Sequence, residues 1–355
     1  MALTQVPASM QAADAQYTGF KNRIINGAMV IDQRNAGGIV GATNGGYNID
    51  RWLCNSYDSG AVTGKFTVQQ NSGNAPLAQG FNQCVKITSS AATTVNSNAV
   101  YTIKQVIEGN NISDLAWGTS SAKTVTLSFW VYSSLTGTFG GALQNGSSSY
   151  NYPYQYTISI ANTWTYITVN VAGPTSGTWT TDNGGGLIVT FGLGAGASWT
   201  QPANSWTAST AYSANGCVNV VGTSGATFYL TGVQLEKGSV ATAFDYRSYG
   251  QELALCQRYF QLAAKGTMGA NYGATAAILA WPFPVQMRAN PSSGLLTGST
   301  SQIDIIGGSQ AGTIAGNGSN GSPLCFSSTI SGLSGRTAGV PVIYQDTNLY
   351  FTAEL

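Results

Sequence analysis

Apolar and polar residues alternate along much of this chain with a period of two, the mark of strands that bury one face. In "KTVTLSFWVYSS", Val125, Leu127, Phe129 and Val131 alternate with Thr126, Ser128, Trp130 and Tyr132. Trp130 and Tyr132 are read as core aromatics, because a two-layer fold needs large side chains to fill its interior. "AVYTIKQVIEG" sets Tyr101, Ile103, Gln105 and Ile107 against Val100, Thr102 and Lys104. "NTWTYITVNVAG" sets Ile167, Val169 and Val171 against Trp164, Tyr166 and Thr168. Further strands are predicted in "NGAMVIDQR", "NIDRWLC", "GKFTVQQ", "QCVKITS", "GGLIVTFGLG" and "GATFYLTGVQLE", with Gly, Asn, Ser and Asp clusters between them. Roughly ten strands without an intervening helix predict an all-β fold, an antiparallel β-sandwich over 21–247. In the last strand Phe228 and Leu230 share one face while Val233 and Leu235 fall on the other. Gly232 stands at the phase change, where a β-bulge restores register.

One short helix is predicted after the sandwich. Ser248 and Gln251 match a capping box, and Glu252 falls in the first turn. Leu253, Cys256 and Phe260 follow at i, i+3 and i+7, with Leu255 and Tyr259 beside them, giving a linking helix over 248–262. Strands then resume in "ATAAILAWPFPVQM", "SQIDIIGG", "GVPVIYQD" and "TNLYFTAEL", a small C-terminal β-domain over 263–355. Pro282 and Pro284 confine their strand to an edge or break it. Residues 1–20 are polar and small, an expected anchoring arm.

Composition narrows the function. Only 8% of residues are charged, against 43% hydrophobic; a β-chain with a surface of hydroxyls, amides and backbone suits neutral ligands. The few charges concentrate between Gly232 and Gln261 (Glu236, Lys237, Asp245, Arg247, Glu252, Arg258), which reads as the orienting of a domain joint. A net charge of +1 without a basic block leaves no footprint for nucleic acid or anionic lipid. No run approaches the roughly 20 apolar residues of a spanning helix, so membrane insertion is not expected. The first residues lack the basic start and apolar run of a secretory signal. The five cysteines are scattered and form no C-x-x-C pair, so all are expected to be free. Histidine is absent, which excludes Ser-His-Asp and Cys-His arrangements. Asp58, Asp114 and Asp182 occur singly in loops, and Glu108, Glu236 and Glu252 have local strand or helix roles. No carboxylate pair stands out for glycoside hydrolysis, so no catalytic residue is assigned and the chain is read as non-enzymatic.

Several stretches resemble one family closely: "FKNRIINGAMVIDQRNAG", "YNIDRWLC", "FYLTGVQLEKGSVATAFDYRSYGQELALCQRYFQ" and "MRANP" with the terminal "LYFTAEL". These resemble the tail-fibre and related virion surface proteins of tailed phages and prophages, over 20–355. The resemblance implies a carbohydrate-binding-module-like jelly roll, then a small β-domain, as a homotrimer on the virion surface, on tail, head or collar. It implies other virion proteins as partners at the N-terminal end and a host cell-surface glycan as ligand. It supplies no catalytic motif. The competing expectation is a purely structural virion protein: a head fibre, decoration or connector. A structural calcium, common in sugar-binding sandwiches, would draw on Asp32, Asp50 and Glu236 with backbone carbonyls, although no contiguous loop motif marks it.

Aromatic rings cover the apolar face of a pyranose, so aromatics in loop-like surroundings are the carbohydrate-binding candidates. They are Tyr150, Tyr152 and Tyr154 in "NGSSSYNYPYQY", together with Trp179, Trp199 and Trp206. Packing over loop ends and contact between subunits stand beside sugar stacking as readings of the same residues.

Overall fold

A computed structural model describes residues 20–296, 301–305, 308–314 and 322–355. Of the arm expected over 1–20, only Phe20 is among them. The chain forms two compact units, one ending at Arg247 and the other running Ser248–Glu354.

The first unit is an antiparallel β-sandwich. One sheet orders its strands as β1 (Val40–Gly41), β4 (Phe66–Asn71), β5 (Cys84–Ser89), β14 (Thr227–Lys237), β7 (Val125–Ser133) and β10 (Thr165–Val171). The second orders β2 (Gly46–Ile49), β3 (Trp52–Asp58), β6 (Ala99–Glu108), β11 (Gly185–Ala195), β8 (Gly137–Asn145) and β9 (Asn151–Ile158). From β5 to β8, and again from β9 to β11, consecutive strands alternate between sheets, the crossing pattern of a jelly roll. A short parallel pair, β12 (Thr200–Gln201) and β13 (Ser213–Ala214), lies in the long β11–β14 connection. Between the sheets, the Phe129 ring meets Phe191 at 5.0 Å and Tyr156 at 5.1 Å, both edge-on. Leu127 and Val131 share its face and are fully buried.

Three expectations for this unit are corrected. "NIDRWLC" is a hairpin, β2 and β3, turned at Arg51, whose φ is 70°. "NGSSSYNYPYQY" is the turn and second strand of the β8–β9 hairpin, which puts Tyr152, Tyr154 and Tyr156 on the inner face. "NGAMVIDQR" is not a strand. Asn26 and Met29 take left-handed backbone, and the Asn26 amide bonds both the Ile31 carbonyl and its N–H, at 2.8 and 3.0 Å. A side chain thus satisfies the backbone locally, which competes with ladder pairing.

That irregular segment serves the β14 bulge. Register against β7 shifts between Thr231 and Gln234, and Gly232 has φ 60°. β5 pairs only with Thr227–Leu230, so beyond the bulge the edge of β14 needs other partners. Residues 22–27 provide them. Val233 N–H donates to Gly27 O at 3.0 Å, Asn22 Nδ2 to Val233 O at 3.1 Å, Leu235 N–H to Asn22 Oδ1 at 3.1 Å, and Arg23 N–H to Leu235 O at 3.0 Å. A Cβ at Gly27 would stand 2.2 Å from Val233 O, so only glycine allows this approach.

The second unit opens with α1 (Tyr249–Gln257), capped at Ser248 by the reciprocal box with Gln251. The helix is shorter than 248–262: β15 (Phe260–Leu262) is a strand, paired with β23 (Leu349–Thr352) beside β18 (Ser292–Leu295). Phe260, read as the last residue of a helical stripe, instead meets Tyr350 across strands at 5.2 Å. A closed barrel follows, of β16 (Met268–Asn271), β17 (Ala276–Pro282), β21 (Cys325–Ser331), β20 (Gly308–Ile314), β19 (Ser301–Ile305) and β22 (Pro341–Tyr344), in that order round the wall. Pro282 ends its strand, where β16 no longer pairs with it. None of the five cysteines is in a disulfide; Cys54, Cys84 and Cys256 are buried, Cys217 is half-buried and Cys325 is exposed.

Candidate functional site

The outer face of the first sheet carries a row of aromatic side chains. Along β7, Phe129 and Val131 enter the core while Trp130 and Tyr132 point outward and stay half-buried, which corrects their reading as core aromatics. On β10, Tyr166 stands in register with Trp130, and Trp164 lies just before the strand. The pairs Trp130–Tyr166 and Tyr132–Trp164 have ring centroids 5.2 and 5.6 Å apart, and Tyr229 on β14 lies 5.0 Å from Tyr132. Cross-strand aromatic pairs stabilise a sheet, yet Tyr166 remains 43% exposed.

A second aromatic wall faces this one. Phe81 meets Phe244 at 5.1 Å and Tyr246 at 5.5 Å, and Phe244 meets Tyr246 at 4.8 Å. Phe244 and Tyr246 belong to the loop after β14, which is bonded at both of its ends. Glu236 accepts from Gln234 Nε2 and Thr242 N–H at 2.8 Å each and from Thr242 Oγ1 at 2.6 Å. Gln234 Oε1 accepts Asp245 N–H at 2.8 Å, Arg247 Nη1 donates to Ile24 O at 3.0 Å, and Lys21 Nζ donates to Ala243 O. Sequence alone read Glu236, Asp245 and Arg247 as orienting a domain joint; the first unit does end at Arg247, and Glu236 also ties the aromatic loop to β14 through Thr242. Between the walls lies a cleft of about 280 Å³, with Gln79, Ser128, Thr242 and the two tyrosines, Tyr166 and Tyr246, bringing polar groups and no Asp, Glu, Lys or Arg in its lining.

The sequence candidates lie elsewhere. Tyr154 is a core residue, fully buried, its hydroxyl donating to Thr190 O at 2.8 Å, so it cannot meet a ligand. Tyr152 is buried beside it. The structure does bring Trp179, Trp206, Tyr150 and Tyr152 together, around Trp117. Trp117–Trp179, Trp117–Trp206 and Trp179–Trp206 are edge-on at 4.7, 5.5 and 5.6 Å, and Tyr150 stacks on Trp206 at 5.6 Å. Their indole N–H groups donate to Lys123, Ser176 and Ala172 carbonyls, so ring faces and donors are engaged within the chain. Trp199 is separate: it donates to Asn98 O at 2.8 Å and meets Tyr212 edge-on at 5.7 Å. Near it, another cleft of about 230 Å³ is lined by small residues such as Gly192, Gly194, Ser213 and Ala214, with Cys217 and no aromatic ring.

Of the calcium candidates, Asp32 lies near enough to Asp50 to disfavour its charge, while Glu236 stands on the other sheet. Asp32 accepts Asn35 and Gly37 N–H at 3.0 and 2.8 Å, Asp50 accepts Gln33 N–H and Nε2 at 2.7 and 2.6 Å, and Glu236 is bonded as above on the other sheet. Among the described residues, no group of three or more His, Cys, Asp or Glu is arranged for a metal. Asp114, one of the loop carboxylates, is held by Arg23 at 2.7 Å and Lys237 at 3.3 Å.

Two buried ionisable groups give the sandwich opposite pH dependences. Burial pushes Asp50 up from 3.8 to about 6, against the pull of Arg34 and the Gln33 hydrogen bonds. The stability it contributes is present in full below pH 3.8 and lost as pH rises through 6. Burial lowers Lys104 from 10.5 to about 8, its ammonium 5.7 Å from the Tyr212 ring centre. The penalty for its charge holds below pH 8 and disappears as pH rises from 8 toward 10.5. Relative to wild type, Asp50→Asn should gain about 2–3 kcal/mol between pH 4 and 7, and Lys104→Met should lose a similar advantage between pH 8 and 10. Urea midpoints across pH measure both; parallel profiles for wild type and variants would refute the assignment.

No protein-family model matches the chain, and no curated protein sequence matches it. Among solved structures it is similar to a CBM4 structure, at 16% identity over 60% of this chain and 98% of that one, with a TM-score of 0.30. It is similar to a putative sugar binding protein from Bacteroides thetaiotaomicron, at 13% identity over 61% and 100%, TM-score 0.36. It is also similar to the enzymatically active domain of tailspike protein 4 of bacteriophage CBA120, at 11% identity over 61% and 21%, TM-score 0.30.

Proposed function

We propose that the chain is a non-enzymatic glycan-binding protein of a phage particle surface, and that it attaches the particle to its host through the aromatic cleft on the first sheet. One observation carries the reading: an open cleft walled by Trp130, Tyr166, Phe81, Phe244 and Tyr246, without an ionised side chain in its lining. Aromatic faces suit the C–H side of sugar rings, and the few polar groups fix orientation. The virion setting rests on the resemblance of the sequence to phage fibre proteins, as does assembly into a homotrimer joined to other virion proteins at the N-terminal end. Weak single sites suffice there, because several copies on one particle raise the effective concentration.

A glycan array probed with the isolated chain tests the function. Trp130→Ala and Tyr166→Ala should each weaken binding by about 1–2 kcal/mol, about 5- to 30-fold. Trp179→Ala and Trp206→Ala should instead lower the melting temperature and leave affinity unchanged in the folded fraction. Binding lost with Trp179 or Trp206 but kept without Trp130 moves the site to the Trp117 cluster. A trimer that binds no glycan at all favours the purely structural virion role.

A further inference from the structure

Resting on that reading of the cleft, we infer that its ligand presents a methyl-bearing sugar, a 6-deoxyhexose or an N-acetylated hexose, with the methyl group directed at the cleft floor. The floor is largely apolar, with Ser128 as its one deeply buried hydroxyl. It is formed where β14 bulges at Gly232 and Phe81 lies over the gap: a Cβ at Gly232 would stand 2.6 Å from the tip of the Phe81 ring. Phe81 is only 3% exposed, yet it lines the cleft, with Phe244 set edge-on against it. The polar lining carries no charge and is partly engaged: Tyr246 gives its hydroxyl to Gln79 O at 3.2 Å. Thr242 gives its hydroxyl and its N–H to Glu236 at 2.6 and 2.8 Å, and Ser128 is almost fully buried. A hexose pressed into such a floor would exchange hydroxyl–water bonds for contact with rings, leaving polar groups unpaired. A methyl group loses nothing there and removes apolar surface from water. The more exposed rings, Tyr166 and Tyr246, would cover the sugar's C–H face with the surface that their contacts to Trp130, Phe81 and Phe244 leave open. A pocket that fills with one methyl discriminates by about tenfold or more.

The test is titration of the full chain with glucose, 6-deoxyglucose and N-acetylglucosamine, together with saturation-transfer NMR. At least one methyl-bearing sugar should bind about tenfold or more tightly than glucose, and its methyl protons should receive the strongest transfer. The two methyl sources are separated by which of the pair binds. Phe244→Ala should erase the preference while retaining weak binding on the Trp130 wall. Glucose binding as tightly as both, or array glycans bound without a 6-deoxy or N-acetyl sugar, overturns the inference and leaves the proposed function standing. No binding to any glycan removes both.

Discussion

Phe129→Ala should unfold the sandwich under mild denaturant, whereas Trp130→Ala, one residue along, should leave its stability within about 1 kcal/mol of wild type and weaken glycan binding. The two rings sit on opposite faces of one strand. Phe129 is fully buried between the sheets against Phe191 and Tyr156, so truncation removes the transfer free energy of the ring and leaves a cavity that neighbouring rings cannot close. Such losses run to about 3–5 kcal/mol, a large part of the whole stability of a domain. Trp130 leans on Tyr166 at 5.2 Å and otherwise faces the cleft. Urea midpoints and glycan affinity, measured on both variants, separate the roles. Equal midpoints, or normal binding by Trp130→Ala, would contradict the assignment of faces.

Gly232→Ala should cost about 2–5 kcal/mol, more than a glycine substitution in an ordinary strand. Two costs combine. Its φ of 60° places the residue in left-handed backbone, which penalises any L side chain by about 1–2 kcal/mol. The new methyl would also stand 2.6 Å from the Phe81 ring, which is held from the far side by Phe244 and Tyr246, and overpacking of this kind costs about 1–3 kcal/mol. Because Phe81 lies in the cleft wall, the variant should bind glycan more weakly even when folded. Gly250→Ala, where a Cβ meets nothing within 4 Å, provides the control. A Gly232→Ala protein as stable as wild type would refute the bulge geometry.

Local signals were legible in the sequence. The Ser248–Gln251 capping box forms as expected because its partners are three residues apart, and the phase change at Gly232 marked the bulge. Alternation located β7 and β10 but could not say which row faces inward, since Phe129 and Trp130 are both large aromatics. That choice depends on partners such as Val169, which pairs with Leu127. The alternation of Tyr152, Tyr154, Tyr156 and Ile158 was a usable strand signal, obscured by the serines and asparagines of the adjacent turn. The cleft was out of reach for a different reason. Its walls come from residues near 80, 130, 166, 232 and 244, and only the sheet order brings them together.

The bonds between residues 22–27 and the far half of β14 also set a timetable. Asn22 and Val233 are 211 positions apart, and Asn22 and Leu235 are 213 apart. During synthesis the segment leaves the ribosome first and its partner strand last, so nearly the whole sandwich is made before that edge can close. Contacts this distant in sequence make folding slow. Until β14 arrives, β5 and β7 lack the strand that lies between them, and the nascent sheet has two open edges. A chain arrested before Gly238 would therefore be a substrate for chaperones and proteases, and the emergence of β14, while the second unit is still being made, is the event that completes the sandwich.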